Sequence, residues 1–95
     1  MRMSGVYKAQ KGLIKVNLEA EGNIIKEIEI TGDFFMLPES ALPALECRLV
    51  GRSLDKKDLD DAVEEFYLTG VDTPLLSKDD FVNAVLGVKN ASQAP

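Results

Sequence analysis

The run from Lys11 to Phe35, KGLIKVNLEAEGNIIKEIEITGDFF, leaves this chain few choices of fold. Apolar Ile14, Val16, Leu18 and Ala20 alternate with Lys15, Asn17, Glu19 and Glu21, the two-residue period of a strand with one buried face. Ile28 and Ile30 continue that period against Glu27, Glu29 and Thr31, and Gly22-Asn23 between the two runs is a turn signal. The stretch therefore predicts a long antiparallel hairpin. A two-residue loop would pair Leu18 with Glu27 and Val16 with Glu29, mixing acids into a core face. A shift by one pairs Leu18 with Ile28 and Val16 with Ile30. The expectation is thus a three-residue loop, Gly22 to Ile24, with a bulge at a left-handed Gly or Asn. Its cost is Glu19 facing Glu27 on the solvent side.

The hairpin ends in an unusual junction, Gly32-Asp33-Phe34-Phe35. Two consecutive aromatics on an extended backbone point to opposite sides, so one sheet face cannot bury both. In one reading Gly32 ends the strand, Asp33 caps a turn and both rings lie under helices. In the other, one ring is buried and the second is an exposed anchor for a partner.

These residues resemble the accessory, C-terminal domain of bacterial and archaeal lipoate–protein ligases, which typically carries a G-L-I-x-V strand, a short turn, an I-x-x-I-x-I strand and a G-D-F-F-like ending. The resemblance is dense over residues 11–36 and looser in the remainder, where Leu49-Val50-Gly51 before an acidic helix matches the family's order. It implies an accessory subunit of a two-component ligase. A catalytic partner would bind ATP, Mg2+ and lipoate, form lipoyl-AMP, and transfer lipoate to a lysine of a lipoyl domain. Those acceptors would be the lipoyl domains of 2-oxoacid dehydrogenases or the glycine cleavage H protein. No cofactor is expected on this chain alone. The residues expected to meet the partner or help close its site are Lys11, Gly12, Leu13, Lys15, Gly32, Asp33, Phe34, Phe35 and Met36.

What the chain lacks agrees with a non-catalytic role. It has no histidine, which removes His-based acid–base chemistry, His-containing triads and His metal sites. Neither a G-x-x-x-x-G-K-[ST] loop nor a G-x-G-x-x-G turn occurs. A net charge of −5 disfavours nucleic acid as a partner. No apolar run is long enough for a membrane span, and the start leads into no signal-peptide core. One cysteine makes neither a disulfide framework nor a zinc cluster, so the cytosol is the expected compartment. Charge is uneven: residues 1–15 hold Arg2, Lys8, Lys11 and Lys15 and no acid, whereas the remainder holds all 16 acids against seven bases. Those lysines are either a polar edge that discourages strand-to-strand aggregation or a basic patch for a phosphate, a carboxylate or an acidic surface.

In chain order, residues 4–10 are expected as a first strand, with Val6 and Tyr7 its apolar content. After the hairpin, Ser40 is the expected N-cap of a helix with Pro43 in its first turn. Leu42, Leu45 and Leu49 form one stripe; Pro43, Cys47 and Val50 form a second, nearly opposite, in which Cys47 reads as a small buried hydrophobe. Gly51 stops that helix. Asp55 or Ser53 caps a second, with Leu59, Ala62, Val63 and Phe66 on its inner face and Gly70 at its end. Ser77 and Asp80 form a capping box for a third, in which Phe81, Ala84, Val85 and Val88 share a side. The pattern predicts one α+β domain over residues 1–89: a three-stranded antiparallel sheet packed on about three helices, followed by a flexible tail, 90–95. The resemblance adds that the module is SufE/NifU-like. That kinship supplies a rival function, an iron–sulfur scaffold or sulfur acceptor, which the single Cys47 fits poorly. A plain interaction adaptor is the third reading.

Overall fold

The computed structural model describes residues 1–10 and 12–90. Strands β1 (Arg2–Ala9), β2 (Gly12–Glu21) and β3 (Ile24–Asp33) form an antiparallel meander. Helices α1 (Leu42–Leu49), α2 (Lys56–Tyr67) and α3 (Lys78–Leu86) cover one of its faces. A short strand β4 (Lys89–Asn90) pairs with β1, giving the order β3-β2-β1-β4. This is the expected α+β arrangement, with β4 too short to carry a sequence signal. The expected tail lies, apart from Asn90, outside the described residues.

The hairpin register is the expected one: Val16 faces Ile30, Leu18 faces Ile28 and Glu19 faces Glu27. The means differ. The loop is only Gly22-Asn23, with Gly22 at φ +62°, and the irregularity falls between Glu19 and Ala20, where Lys26 is the unpaired extra residue. A three-residue loop would have set Lys26 opposite Ala20, on the core side. The bulge sets Ile25 there instead, fully buried, and leaves Lys26 in solvent.

Ile14, Val16, Leu18 and Ala20 of β2 form the floor of the core, under Leu45 and Leu49 of α1, Leu59, Val63 and Phe66 of α2, and Phe81 and Val85 of α3. Burial of such side chains stabilises by roughly 1.5–3 kcal/mol each, so this central strand anchors the domain. Ser77 and Asp80 make the expected capping box: Asp80 N–H donates to Ser77 Oγ at 3.3 Å, and Ser77 N–H to the Asp80 carboxylate at 2.8 Å.

Two helix expectations are corrected. Ser40 is not a cap; it lies within a 3-10 turn, Glu39–Ala41, and Ala41 occupies the α1 N-cap without a side-chain bond. Pro43 in the first turn donates no N–H, so one orphan donor is absent there in any case. The second stripe of α1 is not buried either. Cys47 and Pro43 are exposed and Val50 is 45% exposed, because the Leu45 and Leu49 side alone meets the core. At the start of α2, Asp55 holds the N-cap position without a side-chain bond. Asp58 accepts instead from Ser53 N–H at 2.8 Å and Ser53 Oγ at 3.0 Å, and pairs with Arg52 at 3.0 Å. The Ser53 N–H chiefly, then the Arg52 guanidinium and the Ser53 hydroxyl, hold the Asp58 carboxyl below its usual range.

Candidate functional site

Eight of the nine residues singled out in the sequence gather at the end of the hairpin away from the turn; the ninth, Lys11, lies outside the described residues. The ladder sets Leu13 opposite Asp33 and Ile14 opposite Gly32. Gly12 faces the helices, and a Cβ there would lie 2.9 Å from the Asp33 carbonyl oxygen and 3.6 Å from Phe34 Cβ. At Gly32 a Cβ would collide with the Leu13 carbonyl oxygen, and the backbone takes φ +149°, a conformation other residues rarely adopt. The two glycines thus let strand and incoming chain close up tightly. Contrary to the first reading of the junction, β3 runs through Gly32 to Asp33.

Beyond Asp33 the side chains continue to alternate. Phe34 turns inward, its ring edge-on to Phe81 with centroids 5.4 Å apart at 88°. Phe35 turns outward and is 74% exposed, whereas Met36 is buried again. The segment is then pinned by a two-way backbone bridge: Leu37 N–H to Asp72 C=O at 2.7 Å, and Asp72 N–H to Leu37 C=O at 2.9 Å. An exposed aromatic set between a half-buried ring and a buried Met is held in place at little further entropic cost.

On the open face of the sheet the row Lys8-Leu13-Asp33 lies beside the row Val6-Lys15-Thr31. Lys8 and Lys15 are exposed neighbours on a diagonal, with no ion pair among the described residues. Lys8 and Lys15 therefore face away from the helices, on the same side of the sheet as Thr31 and Asp33.

Phe35 borders a groove of about 450 Å³ that sequence reasoning did not anticipate. Ile30, Thr31 and Gly32 form one wall and Met36, Glu39 and Leu42 complete it. Leu42 was assigned to the core stripe and Glu39 to no role; neither carries a local signal, because the groove exists only where α1 approaches β3. Glu46 of α1 was equally silent. Its carboxylate accepts the Ile30 N–H at 2.7 Å, so it covers an edge group of β3.

Among the described residues no three His, Cys, Asp or Glu side chains converge to hold a metal ion, and no helix is long and apolar enough to cross a membrane. The site offers shape, an exposed aromatic ring, backbone polar groups and the Glu39 carboxylate.

Comparison with known proteins supplies the context. The family described as the bacterial lipoate protein ligase C-terminus matches residues 3–85. Lipoate-protein ligase A subunit 2 of Thermoplasma acidophilum is 46% identical over 85 residues, covering 90% of this chain and 88% of that protein. A chain in a solved structure of an archaeal lipoylation system, a bi-partite lipoate protein ligase and its E2 lipoyl domain from Thermoplasma acidophilum, superposes with a TM-score of 0.83. It is 45% identical, and the match covers 90% of this chain and 94% of that one.

Proposed function

The chain belongs to the family of the bacterial lipoate protein ligase C-terminus, and from that membership we propose that it is the non-catalytic accessory subunit of a two-component lipoate–protein ligase. In this reading a catalytic partner binds ATP, Mg2+ and lipoate and makes lipoyl-AMP, and the complex transfers lipoate to a lysine of a lipoyl domain in the cytosol. Acceptors are the lipoyl domains of 2-oxoacid dehydrogenases and the glycine cleavage H protein. The accessory chain is required for the activation step. The observation that carries the proposal is the 46% identity, along nearly the whole chain, to a protein that is itself a second subunit of such a ligase.

The geometry supports a contribution through docking and closure. A subunit that covers a reaction site strengthens electrostatic interactions inside it and keeps water from the adenylate, without supplying a reacting group. The pinned Phe34-Phe35-Met36 corner has the rigidity such a cover needs. An iron–sulfur or sulfur-transfer role draws no support from Cys47, which is exposed on α1 with no second cysteine in the chain.

The test is reconstitution. The chain is mixed with the catalytic subunit, ATP, Mg2+ and lipoate, and lipoyl-AMP is measured. Formation should depend on both proteins, and neither should turn over ATP alone. Lipoyl-AMP formation by this chain alone, or an unstimulated cognate catalytic subunit, would refute the proposal.

A further inference from the structure

The outer edge of β3 is covered in two places. Near the turn, Ile25 N–H donates to Arg52 C=O at 2.9 Å and Ile25 C=O accepts from Gly51 N–H at 2.8 Å. Further along, the Glu46 carboxylate takes the Ile30 N–H at 2.7 Å. That last bond fixes the phase of the strand: Ile30 directs its N–H away from β2. Backbone groups of an antiparallel ladder alternate with a period of two, and the register with β2 is unbroken from Ile28 to Asp33. The N–H and C=O of Gly32 therefore point to the same outer edge. That phase keeps them out of the ladder with β2, and among the described residues no bond outside the strands takes them. They open into the groove bordered by Phe35, Met36, Glu39 and Leu42.

An unpaired edge beside exposed apolar surface is a liability in a free protein, and natural proteins normally cover or charge it. Here the cover ends at the Ile30 N–H, and at Gly32 the edge opens beside the exposed apolar surface of the groove. Resting on the two-component reading above, we propose that an extended segment of the catalytic partner adds to β3 at this point. It pairs with the Gly32 N–H and C=O and places an apolar side chain against Phe35 and Leu42.

The occupant's chemistry follows from the groove. A free donor and acceptor on one residue match an extended backbone, which presents its own groups at the same spacing; a helix has already spent them internally. Glu39 lines the groove with no ion pair among the described residues, in a chain of net charge −5. The incoming segment should thus be apolar with a basic residue at the Glu39 end. Main-chain pairing would give affinity and the Phe35 contact specificity.

Hydrogen exchange on the full-length chain, free and with the catalytic subunit, tests this. The Gly32 amide should exchange quickly in the free chain and slow roughly tenfold or more in the complex, while amides pairing β1 with β2 keep their free rates. A second measurement replaces the Gly32 N–H by an ester oxygen, with the chain assembled by ligation at Cys47. Because that N–H points away from β2 and meets no partner among the described residues, the ester variant should melt like the parent and bind the catalytic subunit about tenfold more weakly. Binding and stimulation with an unprotected Gly32 amide would overturn the edge pairing and leave the two-component reading standing. Absence of any binding by the parent chain would overturn both. Protection that rises with the concentration of this chain alone would assign the edge to a second copy and likewise overturn the proposal.

Discussion

Truncating Phe34 or Phe35 to alanine should give opposite phenotypes although the residues are adjacent. Phe34 is half-buried, stands edge-on to Phe81 at 5.4 Å, and shields the close approach of Gly12 to Asp33. Removing a fully buried Phe costs about 3–5 kcal/mol, and the part of this ring already in water lowers that to about 2–3 kcal/mol. The edge-on pair accounts for about 0.5–1.5 kcal/mol of it. In a domain of this size each kcal/mol moves Tm by about 4–8 °C, so Phe34→Ala should melt roughly 10–20 °C lower. Phe35 is 74% exposed, and its removal should change stability by less than about 0.5 kcal/mol. Against the catalytic subunit, Phe35→Ala should lose about 1–2 kcal/mol, roughly a 5- to 30-fold rise in Kd. Thermal melts by circular dichroism and calorimetric titration separate the two effects. A Phe34→Ala protein melting within about 4 °C of the parent would refute the packing argument. A Phe35→Ala protein with the parent's Kd would refute the anchor.

Glu46→Ala should leave the Ile30 N–H to water at the sheet edge, costing about 1 kcal/mol and about 4–8 °C in Tm. Sedimentation at high concentration should also show self-association through the newly opened edge; an unchanged melt with a monomeric profile would contradict this. Asp58 sets part of the acid sensitivity. Its carboxyl lies below the ordinary value of 3.8 in the folded chain, so its contribution is fully present above that value and is lost as pH falls through the lower folded value. Melts between pH 6 and pH 2 should therefore fall less steeply at the acid end for Asp58→Asn than for the parent, and identical slopes would rule the carboxylate out.

Most of the secondary structure was legible because it rests on local chemistry. The alternation from Ile14 to Ala20 is a property of the strand itself, and the spacing of Ser77 and Asp80 satisfies its own helix end. The helical face Leu59, Ala62, Val63 and Phe66 is likewise repeated at the period of its own backbone. Where reasoning failed, a contact distant in sequence decided. The hairpin absorbs its odd residue in a bulge at Lys26 rather than in the turn, because the choice depends on Ile25 reaching the core beneath the helices. Helical spacing shows two apolar stripes on α1 and says nothing of which one meets the sheet, so the exposure of Cys47 is not written in it.

The candidate site divides in the same way. The sequence by itself determined that Phe34 and Phe35 could share a face only if the chain left the extended form, that two glycines flank the corner, and that the chain has no histidine. Only the tertiary structure decided which ring is exposed, because Phe81 arrives from α3, far along the chain, to receive Phe34. It also made the groove at Gly32, by bringing Glu39, Leu42 and Glu46 beside an edge strand. Backbone alternation is written in a strand's own residues; which of its edge groups are covered depends on what the rest of the chain packs against it.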